Sequence, residues 1–165
     1  YLFRKEDCAL VIIACNTVCA RALRKIQQEY LLKNFKDRKI LGVLIPAAEI
    51  ASNYKRVGIL ATSSTVASDT FPIEIRKLNN QTKVFQNPAP MLVPLIEEGD
   101  IGLAKPFLLK YLKPFMGKNL DSIVLGCTHY PILKTEIKKI MSKNSKNIKI
   151  ISQDEIVPKR LKEYL

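Results

Sequence analysis

Long apolar runs are absent from this sequence, and glycine is scarce. The longest apolar stretch, residues 9–15, is far shorter than the roughly 20 residues that a membrane-spanning helix needs. No charged and then apolar targeting segment opens the chain, so we expect a cytoplasmic protein with no membrane partner. Only 6 of the 165 residues are glycine and 47% are hydrophobic, which favours a globular protein with a real core over a disordered chain.

The motifs of several large enzyme classes are also absent. The chain has no G-x-x-x-x-G-K-[ST] phosphate loop, no G-x-G-x-x-G turn and no H-E-x-x-H pair. We interpret its four cysteines as free thiols, because a chain with an ample core and no secretory signal does not need disulfides. Zinc is a weak alternative, since the spacing of Cys15 and Cys19 lacks a matching second pair beside Cys127 and His129. We therefore expect no metal site.

Acidic residues are few, with 15 against 27 lysines and arginines, and the net charge is +12. An excess of this size suits a nucleic-acid partner, whose phosphates release counterions when lysines bind them. The lysines are scattered, however, and the densest run, in residues 134–149, has helical spacing without interleaved aromatics. We interpret this run as a solvated helix face and expect no nucleic-acid partner.

Apolar, β-branched segments of strand length alternate with amphipathic segments of helical length. The predicted strands are 9–14, 40–45, 56–61, 82–86, 122–126 and 147–151. The predicted helices are 17–33, 46–54, 64–78, 100–116, 131–143 and 153–164. This alternation is typical of an α/β fold with a parallel sheet.

Polar side chains follow three of the predicted strands, at the point where each strand ends. They are Cys15, Asn16 and Thr17 after the first strand, Thr62 and Thr65 after the third, and Cys127, Thr128 and His129 after the fifth. In open parallel sheets, ligands bind at the edge formed by the carboxyl ends of the strands. The pattern therefore predicts one site assembled from these residues.

Each of these side chains also has a structural explanation. A cysteine is often a small buried apolar residue, a single histidine is often structural, and threonine and asparagine commonly cap helices. Two thiols in matching strand-to-helix positions, one of them beside His129, favour a reactive pair instead. Backbone amides at the helix N-termini would stabilise a thiolate and bind the carboxylate of a small zwitterion.

Two cysteine motifs give the sequence a specific family resemblance. IIACNTVCA (12–20) and VLGCTHYPIL (124–133), with GVLIPAA (42–48) and VGILATSSTVASDTF (57–71) between them, resemble the cofactor-independent glutamate racemases of the aspartate/glutamate racemase superfamily. The continuation from His129 to Pro131 resembles the glutamate branch, because aspartate racemases usually carry an acidic residue in place of the histidine.

The resemblance implies interconversion of L- and D-glutamate without pyridoxal phosphate or metal, an isomerase reaction that supplies D-glutamate for peptidoglycan. One cysteine thiolate removes the α-proton, and the other cysteine, as a thiol, returns a proton to the opposite face. Carried over motif by motif, Cys15 and Cys127 are that pair, and His129 assists Cys127. The implied substrate-binding residues are Asn16, Thr17, Thr62, Thr65 and Thr128. Glutamate is then the expected small-molecule partner, and a homodimer is a possible assembly.

The resemblance also implies two pseudo-symmetric α/β domains with the active site between them. Residues 40–147 would form a complete second domain, and residues 1–39 and 148–165 a partial first domain. The family's N-terminal Asp-Ser-Gly motif and its later Tyr-Gly pair have no counterpart here, so we expect a fragment or a truncated copy whose 165-residue chain alone is inactive. The alternatives are a racemase of a related acid such as aspartate, or an inactive relative.

Overall fold

The computed structural model describes residues 1–143 and 147–164, and it shows parallel strands that alternate with helices. The strands are Leu10–Ile13 (β1), Lys39–Gly42 (β2), Arg56–Ala61 (β3), Lys83–Pro88 (β4), Ser122–Gly126 (β5) and Lys149–Ile151 (β6). The helices are Asn16–Val18 (α1), Leu32–Asn34 (α2), Leu44–Ala51 (α3), Ser63–Ala67 (α4), Thr70–Leu78 (α5), Leu92–Glu97 (α6), Ile101–Leu112 (α7), Lys134–Ser142 (α8) and Gln153–Tyr164 (α9). The predicted α/β fold with parallel strands is confirmed. Residues 144–146 of the lysine-rich run, and Leu165, lie outside the described residues.

The strands of the described residues form two parallel sheets. β4, β3, β5 and β6 lie side by side in that order, and β1 pairs with β2. All residues of β5 are buried, as expected for a central parallel strand with helices on both faces. Ala61 at the end of β3 is paired with Gly126 at the end of β5, so the residues that follow these strands emerge at one edge.

Helices cover both faces of the four-stranded sheet. On one face, α7 and α8 pack against a buried cluster that includes Leu60 and Ile123. On the other face, α3 and α5 pack against Val57 and Ile59, and this cluster continues through Leu23 to the smaller sheet. An apolar core therefore holds the β1–β2 sheet against the larger one.

The strand pairing does not follow the predicted domain boundaries. Lys39–Gly42 pairs with β1, whereas the prediction assigns residues from 40 onward to the second domain. Lys149–Ile151 pairs with β5, whereas the prediction assigns 148–165 to the first. The physical reason is burial, since Ile150 and Ile151 lie in the two core clusters on opposite faces of the larger sheet. The division into two domains stays a prediction.

The helix predicted at 17–33 spans residues 16–34. It opens with α1, continues as two π-helical stretches, Cys19–Leu23 and Ile26–Leu31, and ends with α2. It begins directly after Cys15 and so carries the first cysteine motif. None of the helices within the described part of the chain is long and apolar enough to cross a membrane.

Two predicted elements differ from the structure. The strand predicted at 40–45 ends at Gly42 and α3 begins at Leu44, because Pro46 has no N–H for a strand ladder and suits a first helical turn. The helix predicted at 64–78 is interrupted between α4 and α5, where Asp69 has a φ of 56°. Gln86 donates a hydrogen bond to the Asp69 carboxylate at 2.7 Å, which stabilises the interruption.

A buried carboxylate attaches the helix at 16–34 to α5. Arg24 donates to Glu74 through Nη2 at 2.6 Å and through Nε at 3.1 Å, and Lys77 Nζ donates at 2.9 Å. The Arg24 guanidinium holds the pKa of Glu74 below its ordinary value, in spite of burial, which raises it. The ion pair therefore stabilises the contact between the two sheets.

Replacing Glu74 by glutamine is expected to lower the free energy of unfolding by about 1.5–3 kcal/mol at neutral pH, since hydrogen bonds to charged groups contribute that much. Because the folded pKa is lowered, the wild-type advantage is complete above the unfolded value of about 4.3 and disappears as the pH falls through the lower folded value. Denaturant unfolding of both proteins across this pH range measures the difference.

Glu163 provides the matched control, because it pairs with Arg160 at an exposed position of α9. We expect Glu163→Gln to change the free energy of unfolding by less than about 1 kcal/mol. Equal losses in the two variants, or a Glu74→Gln difference that persists at acid pH, would contradict the assignment.

Candidate active site

The ends of β1, β3 and β5 bring together residues that the sequence predicts for the site. Cys15 follows β1, Thr62 follows β3 and Cys127 follows β5. Thr17 Oγ1 lies 2.9 Å from Thr62 Oγ1, which joins the first two of these strand ends. Burial raises the pKa of Cys127, and the negative charge of a Cys15 thiolate raises it further.

Cys15 is the exposed thiol of the pair. Its backbone is extended, with φ −130° and ψ 121°, and it occupies the cap position before the helix at 16–34. Its carbonyl accepts a hydrogen bond from the Cys19 N–H at 2.9 Å, while its side chain makes no capping hydrogen bond. The thiol is therefore accessible to a ligand beside the N–H groups of a helix N-terminus, which favour anions.

Cys127 is the buried thiol, with 7% of its surface exposed. Burial is the largest influence on its pKa and raises it, whereas the backbone N–H groups of His129 and Thr128 favour the thiolate and oppose that rise. The net effect is a raised pKa, so Cys127 is protonated at neutral pH. It enters a reaction as a proton donor unless a base takes its proton.

His129 and Glu97 lie next to Cys127 in the order expected of such a base. His129 Nδ1 lies 3.7 Å from Cys127 Sγ, and His129 Nε2 lies 3.0 Å from Glu97 Oε1. In the tautomer that donates its Nε2–H to the Glu97 carboxylate, Nδ1 is a hydrogen-bond acceptor that faces the Cys127 thiol. The Cys127 thiol, the His129 imidazole and the Glu97 carboxylate thus form a chain of consecutive contacts.

Glu97 was missed by the sequence reasoning. It is the last residue of α6, which follows β4, and β4 is the neighbour of β3 in the sheet. The carboxyl end of β4 therefore lies at the same edge of the sheet as the ends of β3 and β5. The signal available in the sequence was the short segment between the prolines after β4 and Gly99, where Glu97 and Glu98 are adjacent acids.

Three threonine hydroxyls form a closed triangle beside Cys15. The Oγ1 atoms of Thr17 and Thr65 are 3.1 Å apart, those of Thr62 and Thr65 are 3.0 Å apart, and the Thr17–Thr62 contact completes the set. Thr62 also accepts the Thr65 N–H at 3.3 Å and so caps α4. Thr65 is fully buried, whereas Thr128 is exposed. Substrate binding by these residues stays a prediction.

Asn16 is buried and its side chain is already paired. Its Nδ2 donates to Gln153 Oε1 at 2.9 Å, and Gln153 Nε2 donates to Asn16 Oδ1 at 2.6 Å. The two residues are 137 positions apart, and nothing in the local pattern around Gln153 indicates the contact. A role of the Asn16 side chain in substrate binding stays a prediction, and the structure adds its partner.

The residues of the weak zinc alternative are not gathered around a common point. Cys19 is 3% exposed, and its thiol donates to the Ile13 carbonyl at 3.3 Å within the core. Across residues 1–143 and 147–164, no three His, Cys, Asp or Glu side chains are close enough to hold a metal ion.

The chain is similar in sequence to known proteins. A sequence model of the Asp/Glu/Hydantoin racemase family matches residues 2–152. The chain belongs to this family. A glutamate racemase from Chlorobaculum parvum is 38% identical over 169 residues, which cover 99% of this chain and 59% of that protein.

Solved glutamate racemases have the same fold as this family member. The Francisella tularensis enzyme, crystallised in complex with D-glutamate, matches with a TM-score of 0.86 and 31% identity over 97% of this chain and 58% of its own. Isoform RacE1 from Bacillus anthracis matches with a TM-score of 0.83 and 26% identity over 95% of this chain and 57% of its own. The chain thus spans less than two thirds of the length of these relatives.

Proposed function

We propose that the protein is a glutamate racemase that uses Cys15 and Cys127 as its two proton-transfer groups. The observation that carries the proposal is the placement of an exposed thiol after β1 and a buried thiol after β5, with Thr17 of the first cysteine motif in contact with Thr62 after β3, the neighbour of β5. Family membership and relatives named glutamate racemase support the choice of substrate. Cytoplasmic location, a homodimer and the supply of D-glutamate for peptidoglycan belong to the same proposal.

The proposed reaction moves one proton at each face of the substrate. In one direction the Cys15 thiolate takes the α-hydrogen of glutamate as a proton, and the electron pair of the C–H bond remains on the α-carbon as a carbanion. The Cys127 thiol then gives its proton to the opposite face, which inverts the centre and leaves Cys127 as a thiolate. The reverse direction begins from this state, with the Cys127 thiolate as the base and the Cys15 thiol as the proton donor. His129, 3.7 Å from Cys127 Sγ and paired with Glu97, exchanges the Cys127 proton between turnovers.

Racemisation of L-glutamate and of D-glutamate by the protein in its encoded full length tests the proposal. We expect the optical rotation of each enantiomer to decay to zero without added pyridoxal phosphate and in the presence of a metal chelator. A panel containing aspartate under the same conditions tests the alternative substrate. Faster decay with aspartate would favour that alternative, and no decay with any amino acid would overturn the proposed activity.

A further inference from the structure

The two thiols are carried by different sheets. Cys15 follows β1 of the smaller sheet, and Cys127 follows β5 of the larger one. Among the described strands, no hydrogen-bonded ladder connects the two sheets. The distance between the thiols therefore depends on side-chain contacts between the sheets, and a proton transfer between fixed groups is sensitive to errors of about 1 Å.

One contact of this kind lies directly beside Cys15. Asn16 and Gln153 exchange two hydrogen bonds, of 2.9 and 2.6 Å, and are 2% and 4% exposed. Gln153 Nε2 also lies 3.4 Å from the Val43 carbonyl, which it approaches as a donor at the start of α3. Gln153 is the first residue of α9 and follows β6, so the amide pair connects the end of β1 to the end of β6.

Burial makes this pair stiff. Water cannot replace either partner when both amides are enclosed, so separation of the pair leaves buried donors and acceptors without hydrogen bonds. The backbone of Asn16 is bonded to Cys15, and an immobile Asn16 fixes the position from which the Cys15 side chain projects. The threonine triangle holds the start of the helix at 16–34 against the end of β3. The hydrogen bonds of Gln153 to Asn16 hold the same helix start against the end of β6.

We propose that Gln153 is a positioning residue for the racemisation, a role that rests on the proposed function. Through Asn16 it holds Cys15 at the distance from Cys127 that proton removal on one face and proton return on the other require. Gln153 does not touch the substrate and exchanges no proton. Its contribution belongs to kcat more than to KM, because it sets the geometry of the transfer rather than the contacts of the substrate.

The test compares Gln153→Ala and the equally long Gln153→Met with wild type in the full-length protein. We expect kcat to fall about 10- to 100-fold in both directions, with a smaller change in KM, as for a misplacement of about 1 Å. Gln153→Met preserves side-chain volume and so separates lost hydrogen bonds from lost packing. Gln27→Ala is the matched control, because Gln27 makes a comparable amide bond to the Ile40 carbonyl at 3.0 Å, and its kcat is expected to equal that of wild type.

A double-mutant cycle shows whether Gln153 acts through Asn16. In an Asn16→Ala background, Gln153→Ala is expected to cause no further loss of kcat, since the contact is already absent. Additive losses, or a kcat within twofold of wild type for Gln153→Ala and Gln153→Met, would overturn the positioning role.

A second readout does not depend on activity. We expect the rate constant of Cys15 alkylation by iodoacetamide, measured by peptide mass analysis, to change in Gln153→Ala and Gln153→Met but not in Gln27→Ala. Unchanged alkylation in the Gln153 variants would contradict the positioning of Cys15. Absence of racemisation in wild type would instead overturn the proposed function, so the two failures are distinguishable.

Discussion

Replacing Cys127 by serine is expected to lower kcat for glutamate racemisation about 10²- to 10⁴-fold in both directions, the range for loss of a general acid–base group. A serine hydroxyl is a much weaker acid than a thiol, and burial at 7% exposure already makes the charged form costly. His129 Nδ1 would then face a hydroxyl whose proton it cannot remove at neutral pH. The loss is expected in both directions, because in the proposed mechanism Cys127 gives its proton in one direction and takes a proton in the other.

Polarimetry of both enantiomers measures this loss, and circular dichroism of the purified variant shows that it is folded. Cys8→Ser is the matched control, since Cys8 lies before β1 and its thiol makes a weak 3.9 Å hydrogen bond to the Glu6 carbonyl. We expect the Cys8 variant to retain wild-type kcat. A Cys127→Ser protein with more than a tenth of wild-type kcat would exclude Cys127 as one of the two proton-transfer groups.

The sequence predicts the strand ends because their signal is local. β5 reads as a continuous apolar run, SIVLG, and all of its residues are buried. The glycine that precedes Cys127 has a structural explanation that only the packing reveals. A Cβ on Gly126 would lie 2.9 Å from Ala61 Cβ and 3.1 Å from the Leu60 carbonyl oxygen, so the close approach of β3 and β5 requires glycine there. The sequence shows a glycine at the end of this strand, but it does not show that Leu60 and Ala61 of β3 are the neighbours that require it.

Long-range partners are the part that the sequence could not predict. The adjacent acids Glu97 and Glu98 mark a segment but not a partner, and Gln153 has no distinguishing local feature. The contacts of Glu97 with His129 and of Gln153 with Asn16 join residues on different elements. The same limit applies to the pairing of β2 with β1 and of β6 with β5, because burial in the two cores decides these pairings. Local propensity predicts that a strand exists, whereas packing decides which sheet it joins.

Alkylation of Cys15 is expected to abolish racemisation while the remaining thiols stay unmodified. Cys15 is exposed, whereas Cys19 and Cys127 are 3% and 7% exposed, so a short treatment of Cys8→Ser protein with iodoacetamide modifies Cys15 first. A carbamidomethylated sulfur can neither accept nor return a proton. We therefore expect residual activity to equal the unmodified fraction of Cys15, determined by peptide mass analysis at each time point.

Substrate protection makes this experiment specific for the site. If Cys15 meets the α-carbon beside the helix N-terminus, saturating glutamate covers the thiol and slows both alkylation and inactivation by the same factor. Cys15→Ser should match the fully alkylated protein, with kcat lowered at least about 100-fold, because in both cases one face of the substrate has lost its acid–base group. Activity that survives complete modification of Cys15 would show that a different group serves that face, and the proposed pair of thiols would then be wrong.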